Sequence, residues 1–382
     1  MRHRALSYRR ITRIAFLAAV AACADVAAPT APDAARTVLP DGGARGITVM
    51  TRNLYLGADI DALLTAPVDS LPFFVTAVWS AIQATNFPER ATSLTAEILA
   101  TQPHLIGLQE VTIYRLQSPS DIVLGQVQPN ASAVVYDFLN TLLDSLSAHG
   151  AHYYVAAKVH DLDVEVPMFT GSGPIPFDDV RYTEYDVILA RADVSIGDTW
   201  ERNYAVNVPL EIGGLSLNWK RGYVAVEATV NQQELIFAST HLEVQMFLPV
   251  PELQAQELIA FLSGFDRQVI AVGDFNSAAN PSAPAQYKTQ TYSMLLAAGF
   301  DDVWARAHDE EAGLTCCHAD DLRSPAVFDQ RLDLVLVKHP LGAYGGVQAM
   351  IVGEEPEDRT PSGLWPSDHA GLVATLHLPA AN

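Results

Sequence analysis

The chain has 382 residues, 49% of them hydrophobic and 18% charged, which suits a globular protein with a large buried core and does not suit a disordered one. Its formal net charge of −21 at pH 7 and isoelectric point near 4.7 argue against a protein that holds nucleic acid through a broad basic face. They leave room for a metal-dependent enzyme acting on phosphates, because bound divalent cations supply positive charge locally.

The N-terminal MRHRALSYRRITR carries five arginines and no acid, and the apolar run IAFLAAVAA follows it up to Cys23. A positive segment, a short apolar run and a small-residue processing site predict an export signal over residues 1–22. The run is too short for a permanent transmembrane helix. Val20, Ala21, Ala22 and Cys23 resemble the lipobox of bacterial lipoproteins. That resemblance implies lipidation of Cys23 and a membrane-anchored protein in the periplasm or at the cell surface; ordinary cleavage near Ala22 is the alternative. Loss of residues 1–22 removes five arginines and takes the net charge from −21 to −26. Residues 23–45, rich in Ala, Pro, Asp and Gly, read as a tether to a single domain over 46–382.

The domain alternates strands and helices. Strands are predicted at 46–56, 105–111, 153–159, 185–194, 235–242, 269–272, 331–337 and 370–378, with a hairpin-like region over 204–230. Helices are predicted at 91–102, stopped by Pro103, at 134–146, 252–262 and near 290–298. Residues 57–89, punctuated by Pro67, Pro72 and Pro88, read as a long insertion. No internal repeat is present.

The run VIAVGDFNS (269–277) is a buried strand that ends by delivering Asp274 and Asn276 on the same side, since side chains alternate faces with period two. Other buried strands end likewise. Asn53 follows one, Glu110 another and His241 a third, and Asp368 and His369 open the last. Asp333 stands inside an apolar strand, where an unpaired carboxylate would cost several kcal/mol, so a partner is expected. A twisted sheet gathers such ends along one edge, which favours a shared site. The adjacent Cys316 and Cys317 are poorly spaced for zinc and suit a vicinal disulfide or a pair of thiols packing a loop.

NLYLG, LIGLQEV, STHLE, VGDFNS, RLDLVLV and SDH occur in the order expected for the endonuclease/exonuclease/phosphatase superfamily, and the chain resembles that family over roughly 46–378. The resemblance implies an α/β fold, a four-layer sandwich of two mixed, mainly antiparallel sheets packed face to face with helices outside. It implies a hydrolase that attacks phosphoesters in line with an activated water. Glu110, Asn53 and Asp368 are then the expected ligands of Mg²⁺, with Mn²⁺ or Ca²⁺ as alternatives. Asp274 is expected to orient or deprotonate the water, and Asn276 to donate to a phosphoryl oxygen. His241 should donate to phosphate or the leaving group, and His369 should contact phosphate, oriented by Asp333. Arg181, Tyr182, Tyr185 and Asp186 fall where family members place substrate-contacting groups.

The substrate class stays open among nucleic acid, a phospholipid head group and a small organophosphate, with a monomer expected in each case. A nuclease needs phosphate-tracking cations, yet after loss of the signal 18 basic residues face 44 acidic ones. A sphingomyelinase-like lipid phosphodiesterase would favour an exposed apolar hairpin, for which FLPVP (247–251) and the PFF and VW of the insertion are candidates. An inactive phosphate-binding module would be expected to lose a ligand such as Glu110 or Asp274, and neither is missing.

Overall fold

Period-two alternation decides which way each strand faces. In Gly46–Asn53, Ile47 and Val49 point to one core cluster while Met50 points to another. In Gln268–Asp274, Ile270 and Val272 join that first cluster while Val269 and Ala271 join a third. Both faces of these strands are therefore covered, as their unbroken apolar runs require. The computed structural model describes residues 46–377 apart from 65, 127, 213–214, 325–327 and 339–345, so the expected export signal, Cys23 and the expected tether lie outside the described residues.

One sheet runs Val347–Val352, Gly371–His377, Gly46–Asn53, Leu105–Gln117, Phe177–Arg191 and Tyr153–Phe169, with Ala133–Asp137 paired to Leu105–Gln117. The other runs Asp301–Asp302, Asp333–Lys338, Gln268–Asp274, Gln233–His241, Gly222–Val230 and Ser195–Asn203. Each sheet has one parallel pair, Gly46–Asn53 with Leu105–Gln117 and Gln233–His241 with Gln268–Asp274; the other pairs are antiparallel. The inward side chains of the two sheets form one dry layer. Helices Leu71–Ala84, Phe87–Thr101 and Phe138–Ala148 pack on the first sheet, and Val250–Leu262 and Thr291–Ala297 on the second. This is the four-layer sandwich expected from the sequence. The sheets approach so closely at Gly107 that a Cβ there would lie 2.5 Å from Ser239 Oγ and Val272 Cγ2.

Several local expectations change. The helix expected from 134 begins at Phe138, because Ala133–Asp137 is a strand. Val134 and Val135 are β-branched and exposed there, and the Asp137 side chain caps the helix by accepting from Asn140 N at 3.0 Å. The presumed insertion contains a helix, Leu71–Ala84, that buries Leu71, Val75, Trp79 and Ile82. Pro72 and Pro88 occupy first helical turns, where the missing N–H costs nothing, so they start helices instead of breaking them. FLPVP is no hairpin: it links a 3-10 turn, Gln245–Phe247, to helix Val250–Leu262. Strands Ser195–Asn203 and Val347–Val352 were not anticipated. No helix among the described residues is long and apolar enough to cross a membrane.

Candidate active site

The two parallel pairs carry their C-terminal ends to one edge of the sandwich. Asn53 lies opposite Gln109, and His241 lies opposite Asp274. Asp333 opens an antiparallel strand with Asp274 as its partner. Asp368 and His369 precede Gly371–His377, which runs back along Gly46–Asn53. Contact between the sheets closes the group: Asn53 Nδ2 donates to Glu110 Oε1 at 3.0 Å and to Asp274 Oδ2 at 3.3 Å.

The backbone is bent at these points. The pairing of Leu105–Gln117 with Phe177–Arg191 slips between Leu108 and Val111, and Glu110 sits in the irregularity with φ of 56°. Its carboxylate is turned so that Oε2 accepts from Leu56 N at 2.7 Å. Tyr55 and Asn276 also take left-handed backbone, with φ of 59° and 45°. Gly273 carries φ of 149°, and a Cβ there would meet Thr240 O at 2.0 Å, so the turn into Asp274 requires glycine.

Two histidines flank Asp274. Arg221 Nη1 lies 3.0 Å from His241 Nδ1 and can only donate, while Asn276 Nδ2, also a donor, stands at the ring's other nitrogen, Nε2. That nitrogen lies 3.1 Å from Asn276 Nδ2 and 3.5 Å from Asp274 Oδ2. Burial, with the charges of Arg221 and His369, holds the His241 imidazole well below its ordinary range, and it stays neutral. His369 is the opposite case. Burial disfavours its cation, but Asp333, Asp274 and Asp368 outweigh burial and hold the imidazolium well above its ordinary range. Its Nδ1 lies 2.8 Å from Asp333 Oδ2 and its Nε2 3.7 Å from Asp274 Oδ2. Asp274 Oδ1 accepts from Asn276 N at 2.9 Å.

Above this group lies a cleft of about 350 Å³ whose lining includes Glu110, Glu184, Glu243, Asp59, Asp61, Asp320 and Asp368, with Arg221 as its basic member. Burial, and the charge of Glu110 nearby, push Asp368 up to about 7. Burial, with Asp333 and Glu110, pushes Asp274 up to about 6. Carboxylates so reluctant to ionise, in a cleft dominated by like charge, fit a hard cation that would let them do so. Glu110 and Asp368 are the anionic donors placed to hold it. Asn53 is engaged at both ends of its amide, since its Oδ1 accepts from Tyr55 N at 2.9 Å. Asp274, Asp333 and His369 also bring ligand atoms within 4.8 Å of one another, but His369 Nδ1 is already committed to Asp333.

The sequence profile of the Endonuclease/Exonuclease/phosphatase family matches residues 78–369. The chain belongs to the endonuclease/exonuclease/phosphatase family. No curated protein sequence matches it. Among solved structures, a family protein from Beutenbergia cavernae shares 19% identity over 88% of this chain and 72% of its own, with a TM-score of 0.52. A family protein from Leptotrichia buccalis shares 16% over 87% of this chain and 100% of its own, at 0.51. Truncated TDP2 from Caenorhabditis elegans shares 14% over 87% of this chain and 98% of its own, at 0.50. At these identities the likeness is one of fold.

Within this endonuclease/exonuclease/phosphatase domain, the RYTEYD residues are dispersed. Arg181 is held by Asp163 through Nε and Nη2 at 2.7 and 2.6 Å, and Tyr185 packs beside His160 and Lys158. Neither lines the cleft. Tyr182 donates to Glu184 Oε2 at 2.8 Å, and Asp186 is fully buried. Sequence reasoning missed four supports. Arg221 Nη1 reaches His241 Nδ1 at 3.0 Å, and Ser367 Oγ donates to Asn53 O at 2.8 Å. Arg90 donates to the carbonyls of Leu54, Tyr55, Thr85 and Pro366. Arg52 donates to the carbonyl of His369 and pairs with Glu97. A buried arginine in an apolar segment is a detectable signal for the last two, since such a cation needs partners. Cys316 and Cys317 form a vicinal disulfide, and Cys316 bridges to His369 through the backbone.

Proposed function

We propose that this protein is a divalent-cation-dependent phosphodiesterase in which water attacks phosphorus in line with the departing oxygen. The observation that carries the reading is Asp274. It stands 3.5 Å from His241 and 3.7 Å from His369, and Asn53 joins it to Glu110, which lines the acidic cleft. Asp274 accepts the proton of the attacking water. Asn276 Nδ2, which donates to Leu242 O and lies 3.1 Å from His241 Nε2, would turn an N–H to a phosphoryl oxygen once that contact opens, with His241 beside it. His369, kept cationic by Asp333, faces the developing charge and can give its Nε2 proton to the leaving oxygen. A cation held by Glu110 and Asp368 would neutralise the phosphate and stabilise the departing group.

The reading that the substrate bears an apolar group has one specific support. The cleft adjoins an apolar cavity of about 70 Å³, and Ile60, Leu64 and Trp219 line both. The acidic rim also disfavours long polyanions. Turnover of plasmid DNA, RNA, bis-p-nitrophenyl phosphate, p-nitrophenyl phosphate, sphingomyelin and inositol phosphates with Mg²⁺, Mn²⁺, Ca²⁺ or EDTA tests both readings. Activity that persists in EDTA, or that is confined to monoesters, would overturn the first; preference for nucleic acid would overturn the second. We further propose that Cys23 is lipidated and anchors the exported protein to a membrane. Recovery of a fully soluble, unlipidated protein from the native host would refute it.

A further inference from the structure

A second group of carboxylates converges far from the cleft. Asp121, Glu165 and Asp179 each bring an oxygen within 4.8 Å of the other two. They come from three segments: Asp121 from the turn after Leu105–Gln117, Glu165 from Tyr153–Phe169 and Asp179 from Phe177–Arg191. Asp179 pairs with Gln117, seven positions beyond Glu110 and so roughly 20 Å along the strand from the catalytic edge.

Each carboxylate is partly satisfied. Asp179 Oδ1 accepts from Ser120 Oγ at 2.5 Å, and its Oδ2 from the N–H groups of Asp121 and Ile122 at 2.8 and 3.3 Å. Glu165 Oε2 accepts from Asn130 N and Ala131 N at 2.7 and 2.8 Å. Asp121 Oδ2 accepts from Asn130 Nδ2 at 2.9 Å. The remaining oxygens of two of them, Glu165 Oε1 and Asp121 Oδ1, are shut off from solvent and have no hydrogen-bond partner. Glu165 is only 4% exposed. The neighbouring guanidinium, Arg181, is already held at two points by Asp163. Leaving an acceptor of this kind unmet is costly, and leaving two beside a third carboxylate is more so.

We propose that Asp121, Glu165 and Asp179 form a calcium site that clamps the 118–131 segment onto the outer ends of these two strands. All donors are hard oxygens from three backbone directions, and Ca²⁺ accepts irregular sets of six to eight such ligands, water completing the shell. Mg²⁺ demands a near-ideal octahedron and gives up its water reluctantly, so it suits this arrangement less well. The site stands apart from the catalytic reading and does not depend on it.

The test strips the purified protein with EDTA and titrates it with CaCl₂ or MgCl₂, following binding stoichiometry by calorimetry, thermal unfolding, and proteolysis within 118–131. Calcium should raise Tm and protect the segment where equal magnesium does not, and Glu110→Gln should keep this response. Glu165→Gln and Asp121→Asn should each weaken calcium binding by at least about tenfold, as expected when a site loses ligand charge, while magnesium-supported turnover survives. If Glu165→Gln fails to fold, Asp121→Asn, at a partly exposed turn, decides alone. The proposal is overturned if calcium changes neither Tm nor proteolysis beyond magnesium. It is equally overturned if the folded variants keep the wild-type calcium response, or if Glu165→Gln stabilises a protein whose wild type ignores calcium, which would identify a shared proton.

Discussion

Glu97→Gln should destabilise the domain severely, although Glu97 touches no part of the proposed chemistry. Arg52 and Glu97 are 0% and 1% exposed, and the guanidinium meets the carboxylate through Nε and Nη2, each at 2.9 Å. Two unit charges about 4 Å apart attract by about 4 kcal/mol at an effective dielectric of 20. Removing one partner of such a buried pair leaves the other charge uncompensated, which typically costs about 3–5 kcal/mol. The glutamine cannot restore that charge, and Gly353, whose Cβ would fall 2.5 Å from Arg52 Nη2, shows how little room there is to relax. Arg52 also donates to the carbonyl of His369, so a shift should lower kcat more than it raises KM. Urea unfolding should show a loss of about 3–5 kcal/mol at unchanged m-value, and the Arg52→Met/Glu97→Met double variant should lose less. A loss below about 1 kcal/mol for Glu97→Gln, with kcat intact, would refute the reasoning.

Three further outcomes follow from the site and its surroundings. Glu110→Gln should weaken the metal dependence of turnover at least tenfold while leaving Tm close to wild type; an unchanged metal titration in the folded variant would exclude Glu110 as a ligand. Asp274→Asn should keep substrate binding and lose most turnover, and Asn276→Ala should lose about 10²–10³ in kcat, with the double variant falling short of the product of the two. Burial pushes His318 down to about 4, where its ring stacks on Trp365 and its Nε2 lies 3.1 Å from Gly353 O. The folded protein therefore binds this proton later than the unfolded chain, whose histidine titrates near 6.5, so stability is complete above that pH and is lost as pH falls toward 4. The loss should approach about 3 kcal/mol, read as the difference in pH slope between wild type and His318→Gln.

What the sequence made legible was the set of strand ends. VIAVGDFNS, LIGLQEV and STHLE are apolar runs that finish in polar groups, and a parallel pair necessarily carries its finishing residues to the same edge. The orientation of Glu110 was not legible, because it depends on a register slip and a left-handed backbone that no local residue pattern announces. Arg221 was passed over because it precedes its strand instead of ending it. Asp121, Glu165 and Asp179 meet only because three segments separated by up to 58 positions fold together, so no spacing motif could mark them. The helix boundary at Phe138 was misplaced for a different reason. Val135 fits a helical apolar stripe with Phe138, Leu139, Leu142 and Leu146 on paper, but Val134 and Val135, exposed β-branched residues before a capping Asp137, lie in a strand of the sheet.

The same geometry explains why the proposed catalytic group depends on pairing register more than on any single hydrogen bond. Asp274 lies opposite His241 in the parallel direction and opposite Asp333 in the antiparallel one, so two neighbours fix the position of one carboxylate. A slip of one residue in Gln268–Asp274 would carry Ile270 and Val272 out of the dry layer between the sheets and turn Asp274 away from Asn53 and His369. The apolar run that specifies the strand's burial therefore also specifies the placement of its terminal acid. Gly273 completes the arrangement: it lets the chain leave the strand against Thr240 without a clash and deliver Asp274 and Asn276 in succession. Gly273→Ala should consequently disturb turnover at least as strongly as Asn276→Ala, because it displaces both groups at once.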